Sequence, residues 1–235
     1  MSGREGRMTE PGDILSDVGF FFQEKRLAGK RVLVTAGPTE EPVDPVRVLT
    51  NTSSGKMGYA VARAAREAGA EVTLISGPVS LPTPVGVARV DVRTAREMFD
   101  AVKKDVKRAD VFISVAAVAD YRVRKPASQK IKKVNGHLSL ELEENPDILA
   151  WVAGLANPPF CVGFAAESEN LAKNAKAKLA KKKLPLIAAN LAQDAIGRDD
   201  SAITLFDAKG EHSLGRGPKL DLARRLIEHV AQKLK

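Results

Sequence analysis

From residue 30 onward the chain alternates near-continuous apolar runs with segments whose apolar positions recur every three or four residues. RVLVTA (31–36), EVTLIS (71–76), DVFISVAA (110–117), FCVGFAA (160–166), LPLIAA (184–189) and AITLF (202–206) have the unbroken hydrophobicity of strands covered on both faces. Between the first two, Met57, Ala60, Val61, Ala64 and Ala68 form a helical stripe, with Arg63, Arg66 and Glu67 facing away. Thr94 and Glu97 form a capping box that opens AREMFDAVKK. Asn145 followed by Pro146 predicts another helix start, with Asn as N-cap and Pro in the first turn. Leu220, Ala223, Ile227, Val230 and Leu234 give a last helix its buried stripe. The pattern predicts an α/β, Rossmann-like fold with a doubly wound, largely parallel sheet in three layers.

Two stretches break the rhythm. AGPTEEPVDPVRVLTNTSS (36–54) is too long for a tight turn after the first strand and is read as functional. Residues 120–145 are polar and basic, carry Asn135-Gly136 as a hairpin signal, and read as a β-rich flap or dimerisation arm above the strand ends. Ligands of such sheets bind at the carboxyl ends of the strands, where both segments emerge. Residues 1–29 stand apart as a leader, with Phe20, Phe21 and Phe22 in a cluster that suits either a helix packed on the domain or a surface left by a missing partner.

Composition narrows the function classes. The chain of 235 residues is long enough for one large domain with an appendage. No apolar run approaches a bilayer span, and MSGREGRMTEPGDILSDVG carries acids and a proline where a secretion signal needs an apolar core, so the expected compartment is the cytoplasm, with no membrane partner. The lone Cys161 allows no internal disulfide and sits in an apolar run that predicts an inert core thiol. His137, His212 and His229 show no metal-ligand spacing and read as solvated or packed imidazoles. A net charge of +8 favours anionic partners, yet aromatic residues at 5% are too few for a base-stacking platform, which argues against a nucleic-acid-binding protein.

The stretch LTNTSSGKMGYAVARAAREAG (49–69) has the composition of a phosphate-holding helix start. It is not a P-loop, because Met57 follows Lys56 where Ser or Thr is required. Unpaired backbone N–H groups between Ser53 and Gly58, two hydroxyls and a lysine still converge there, and glycine permits close approach. SVAAVADY ends a strand in small residues and supplies Asp120; QKIKK carries Lys130, Lys132 and Lys133; ENPDI sets a helix start with Asn145 and Asp147; Lys178 and Lys182 lie four apart on a helix, opposite Leu171, Ala175 and Leu179. Each has a plain structural reading, but all fall at one rim of the sheet. An NAD(P)-dependent oxidoreductase is the rival class, since Tyr121 and Lys125 have the spacing of short-chain dehydrogenases, but TAGPTEE offers only Gly37 for the glycine-rich turn.

In order, TAGPTEEPVDPVRVLTNTSSGKMG, AAVADY, KIKK, NPDI, VGFAAE and the Lys-rich helix before LIAAN resemble the bacterial phosphopantothenoylcysteine synthetase family of coenzyme A synthesis, from about residue 30 to 235. GRMTEPGDI (6–14) resembles the tail of the flavin-dependent decarboxylase half with which that synthetase is usually fused, so association with a decarboxylase domain is expected. The resemblance implies that CTP, with Mg²⁺, activates the phosphopantothenate carboxylate as an acyl-cytidylate, and that the L-cysteine amine then displaces CMP. It implies that Lys130 neutralises phosphate charge in the first step and that Asn51 serves the second. Ser53, Ser54 and Gly55 would line the phosphate pocket, Asp120 would hold Mg²⁺, and Ala116, Ala117, Asn145, Pro146, Asp147, Ile148, Phe164, Lys178 and Lys182 would complete the nucleotide site. Arg47 is expected to be structural or near the interface of a homodimer. The chain departs from the family pattern at Pro185, Leu191 and Ser168.

Overall fold

The computed structural model describes residues 8, 10–133, 136–191, 193 and 197–234, residues 13 and 16 by their backbone alone. Part of the 6–14 stretch and Asn135 of the expected hairpin signal lie outside the described residues. Helix α1 (Pro11–Phe22) opens on a proline whose missing N–H costs nothing in a first turn. Phe20 docks beneath the Arg66 guanidinium, 3.8 Å from its ring centroid, whereas Phe21 and Phe22 are 76% and 80% exposed. The aromatic cluster therefore divides, one ring packed on the domain and two facing water.

Strand β1 (Arg31–Ala36) is followed by a hairpin of β2 (Glu40–Asp44) and β3 (Arg47–Thr50), then by helix α2 (Lys56–Glu67). The long segment after β1 is thus partly ordered as antiparallel structure, its apolar Val43 turned inward. Strands β4 (Glu71–Ser76) and β5 (Ala88–Asp91), helix α3 (Ala95–Asp105) and strand β6 (Val111–Ser114) follow. Thr94 and Glu97 form the expected capping box. A second hairpin pairs β7 (Tyr121–Val123) with β8 (Leu142–Glu144) and frames the flap. The rest of the order is α4 (Ile148–Ala153), β9 (Phe160–Glu167), α5 (Leu171–Lys181), β10 (Leu186–Leu191), β11 (Asp200–Asp207), β12 (Gly210–Pro218) and α6 (Lys219–Lys233).

The eight-stranded sheet runs β12-β11-β10-β9-β6-β1-β4-β5. From β10 to β5 every pairing is parallel, in the Rossmann strand order, and β11 and β12 add an antiparallel edge. Helices α2 and α6 cover one face through Val61, Ala65, Leu226 and Val230; α3, α4 and α5 cover the other through Met98, Val152 and Ala175. Cys161 is buried there, and burial pushes its thiol up to about 12, as expected of an inert core cysteine. Among the described residues no helix is long and apolar enough to cross a membrane.

Several boundaries differ from the sequence pattern for definable reasons. The run 110–117 leaves the sheet after Ser114, because the next amides turn toward the β1 end: Ala116 N–H donates to Thr35 Oγ1 (3.4 Å) and Ala117 N–H to the Gly37 carbonyl (2.9 Å). The N-cap of α4 is Asp147, which accepts from Ala150 N–H at 3.0 Å, not Asn145, whose amide donates instead to the Ala119 carbonyl (2.9 Å). Pro146 consequently precedes the cap. Helix α2 starts at Lys56 on Gly55, which has φ 74°, so the serines before it are not its cap. The buried stripe of α6 is Leu222, Ala223, Leu226, Ile227, Val230 and Ala231, with Leu220 and Leu234 only half buried. Lys182 ends α5 as its C-cap.

Candidate active site

Strand order reverses between β1 and β6, and an open cleft of about 810 Å³ lies at the carboxyl ends of the strands on that seam. One wall is the loop from Asn51 to Gly55 and the start of α2; the other is Ser114 to Tyr121. Asn145, Pro146, Asp147, Phe164 and Lys182 close the far side. Glycine is needed in the first wall. A Cβ on Gly58 would come within 2.4 Å of Ala36 Cβ, so its absence lets α2 lie directly against β1. Gly55, in the left-handed region, brings the loop against Gly37 and Val79.

The two walls are tied across the seam. Asn51 donates through Nδ2 to the carbonyls of Ala117 (3.1 Å) and Val118 (3.2 Å). The buried Thr39 accepts from Ala119 N–H at 2.9 Å. Ser53 Oγ accepts from Gly55 N–H at 3.3 Å, shaping the turn before the helix. Asn145 N–H donates to the Asp120 carbonyl at 2.8 Å and its side-chain oxygen accepts from Arg122 at 3.0 Å, which fixes the β7 end of the cleft.

Cations crowd this rim. Lys182 pairs with Asp147 at 2.8 Å; burial raises the Asp147 pKa, but Lys182, the Ala150 amide and Lys181 together leave the carboxyl below its usual range. Lys56 pairs with the exposed Asp199 at 2.7 Å and lowers its pKa. Lys219, buried at the start of α6, has its pKa lowered by burial and by the neighbouring Lys56. Two ammonium groups that repel each other beside a cleft favour an anionic occupant. Lys219, Lys181 and Asn190 also line the cleft without having been singled out as site residues, and Tyr121, noted only for its dehydrogenase spacing, lines it too. Lys219 carried one usable signal: it follows Pro218 at the opening of a clear amphipathic helix.

Not every expected residue gathers there. Asn51, Ser53, Ser54, Gly55, Ala116, Ala117, Asp120, Asn145, Pro146, Asp147, Phe164 and Lys182 line the cleft. Ile148 is instead buried in the core and off the lining, while its neighbour Leu149, also buried, lines the cleft. Lys178 lies off the lining and pairs with Glu167 at 2.7 Å. Lys130 is exposed on the flap, also off the lining. Its neighbour Ile131 is clamped: Ile131 N–H donates to Asp44 Oδ2 (3.1 Å) and Arg47 Nη2 donates to the Ile131 carbonyl (2.7 Å). Arg47 is structural in this sense, joining the β2–β3 hairpin to the flap. Its partner Asp44 is buried, which raises its pKa, but Arg47 and the amides of Val46 and Ile131 bring it down to about 2.

The coenzyme A biosynthesis bifunctional protein CoaBC of Vibrio cholerae is 49% identical over 97% of this chain, and that of Escherichia coli 46% identical over 96%. The chain spans 59% and 57% of those two proteins' lengths. A crystal structure of the C-terminal domain of a coenzyme A biosynthesis bifunctional protein CoaBC is 38% identical, covers 90% of this chain and 98% of its own, and superposes with a TM-score of 0.78. A Cab2 variant in complex with phosphopantothenate-cysteine, only 16% identical, shares the fold at a TM-score of 0.74. Residues 27–234 match the DNA/pantothenate metabolism flavoprotein C-terminal domain, and the chain belongs to that family.

Proposed function

We propose that the chain is a phosphopantothenate–cysteine ligase that uses CTP. The reading is carried by one observation: residues drawn from five separate stretches of sequence, each assigned a role by the family motifs, line a single cleft at the topological switch point. The bifunctional coenzyme A proteins to which the chain is similar support it, as does the anion-favouring rim. Association with a decarboxylase domain belongs to the same reading. A nicotinamide enzyme is less well supported, since the segment after β1 has one glycine and continues into a hairpin.

In the first step a phosphopantothenate carboxylate oxygen attacks the α-phosphorus of CTP, and the bond to pyrophosphate breaks. Two like charges about 4 Å apart in an effective dielectric near 20 repel by roughly 4 kcal/mol, nearly three orders of magnitude in rate. The task of the protein is to hold cations and N–H donors around the phosphates. Lys56, Lys182 and Lys219 stand at the cleft, Ser53 and Ser54 add hydroxyls, and the small Ala116 and Ala117 leave space for the nucleotide. Asp120, an exposed carboxylate among these donors, suits Mg²⁺, which takes one or two carboxylates and completes its shell with phosphate oxygens and water. When bound, the ion neutralises phosphate charge. In the second step the cysteine nitrogen forms the amide bond to the acyl carbon, the bond to CMP breaks, and the amine proton is released. Asn51, fixed at the seam, would hydrogen-bond the acyl-cytidylate while the amine attacks.

The reading requires the flap to bring Lys130 to the phosphates, from its own chain or from a second copy in a homodimer. Pyrophosphate release is to be measured with Mg²⁺, phosphopantothenate and either CTP or ATP, with and without L-cysteine. The expected result is release that needs phosphopantothenate and prefers CTP, abolished in Lys130→Gln; Asn51→Asp retains release but accumulates the acyl-cytidylate. No release by folded protein with either nucleotide would refute the reading. Mixing the two variants restores product only if a second copy supplies Lys130.

A further inference from the structure

At the end of the sheet remote from the cleft, Asp207 closes β11, His212 lies on β12 and His229 projects from α6. The run of β11 from Asp200, next to the cleft-rim Asp199, to Asp207 sets this cluster roughly 23 Å from the cleft at about 3.3 Å per residue. The spacing of the histidines in sequence matches no metal motif and reads them as solvated or packed imidazoles. The β11–β12 hairpin and the docking of α6 bring two of them together, with ring centroids 5.0 Å apart.

One ligand atom from each of Asp207, His212 and His229 lies within 4.8 Å of the other two. His212 Nε2 is 3.1 Å from Asp207 Oδ1, and His229 Nε2 is 3.6 Å from Asp207 Oδ2. His229 Nε2 is buried and lacks a hydrogen-bond partner. Burying such a nitrogen unpaired costs free energy that a bound cation would recover.

We propose that Asp207, His212 and His229 form a binding site for a divalent transition-metal ion of the zinc class. Two imidazole nitrogens and a carboxylate oxygen are a zinc ligand set with a fourth position left for water. Zn–N bonds of about 2.0–2.1 Å place tetrahedral ligands about 3.4 Å apart, so closing the cluster on an ion needs shifts of about 1 Å. Mg²⁺, which prefers oxygen ligands and octahedral geometry, is a poor fit, so the site is distinct from the ion of the proposed reaction. Lys233 donates to Asp207 Oδ2 at 2.5 Å, and a cation therefore already sits beside the carboxylate. Its side chain is 24% exposed on a flexible stem in the last turn of α6, and an arriving ion displaces the ammonium toward water. The bound ion would clip the C-terminal half of α6 to the β11–β12 hairpin.

The test is a titration of the untagged full chain with Co²⁺, read by the intense d–d absorption of four-coordinate cobalt, followed by displacement with Zn²⁺ and, separately, Mg²⁺. One equivalent of Co²⁺, displaced by Zn²⁺ and not by Mg²⁺, is expected. His212→Gln and His229→Gln each weaken binding by about tenfold or more, and Lys233→Met tightens it. Thermal midpoints without metal establish that the variants are folded. The partly exposed His212 on the edge strand keeps the test available if the more buried His229 cannot be replaced. Absence of the cobalt absorption, or absorption that survives both histidine replacements, overturns the proposal.

Discussion

Gly58→Ala tests whether the contact between α2 and β1 shapes the cleft. The added methyl would stand 2.4 Å from Ala36 Cβ and 3.0 Å from Ala36 Cα, where ordinary contact begins at 3.4 Å, so α2 must retreat by about 1 Å. Alanine gains about 0.8–1.0 kcal/mol of helix propensity over glycine. Overpacking of this kind costs about 1–3 kcal/mol, so the net change is a destabilisation of about 0–2 kcal/mol. Activity should suffer more, because the same retreat carries Ser53 to Gly55 away from Ala116 and Ala117, and a misplacement of about 1 Å can cost about 100-fold. Thermal unfolding and single-turnover pyrophosphate release measure the two effects separately. Ala36→Gly in the same chain removes the nearest atom and should recover part of the lost activity. A Gly58→Ala protein that is more stable than the parent and equally active would refute the reasoning, since propensity alone would then account for the change.

Asp44 has a pKa below its unfolded value of 3.8, so its contribution to stability is complete above that pH and is lost as the pH falls through about 2. Acid titration followed by circular dichroism should show a transition in that window that Asp44→Asn, already lacking the charge, does not share. Glu67 is 4% exposed between Arg63 and Arg224; burial raises its pKa, and the two guanidinium groups hold it below the usual range. Glu67→Gln should cost about 1–3 kcal/mol in chemical denaturation, and an unchanged midpoint would dismiss this link between α2 and α6. Iodoacetamide at mildly alkaline pH should leave Cys161 unlabelled in the native protein and label it in urea; rapid native labelling would contradict its burial and raised pKa.

The central strands were legible because a surface buried on both faces leaves an unbroken apolar run: β1 and β4 have the bounds their sequences suggest. Strand β12 was not, since an edge strand with alternate exposed positions, three glycines and a bulge against β11 has no such run. Asn145 and Asp147 are both good N-caps, and only the tertiary demand of the Ala119 carbonyl decides between them. The small residues after β6, such as Ala116, followed from the fold rule, whereas Phe164 came from the family resemblance alone. Lys130 did not follow from the rule, because its place depends on where a flap sits, and the Asp44–Arg47–Ile131 contacts that hold its neighbour join positions far apart in the chain. The proximity of His212 and His229 was hidden for the same reason, since it comes from the docking of α6 on the hairpin.

The seam beneath the cleft sets which parts of the site can move. Val32 to Thr35 pair with Val111 to Ser114, and their side chains are buried but for Ser114, which is half buried. Those amides can exchange with solvent only when the sheet itself opens, an event that approaches global unfolding in cost, whereas the exposed flap around Lys130 needs only to break the Ile131 contacts with Asp44 and Arg47. The walls therefore act as a fixed gauge of width, and in the proposed reaction any gating of substrate entry or product exit would fall to the flap. Denaturant that slows folding of the domain should leave the rate of flap opening nearly unchanged, and turnover limited by that motion would be insensitive to the stability of the fold beneath it.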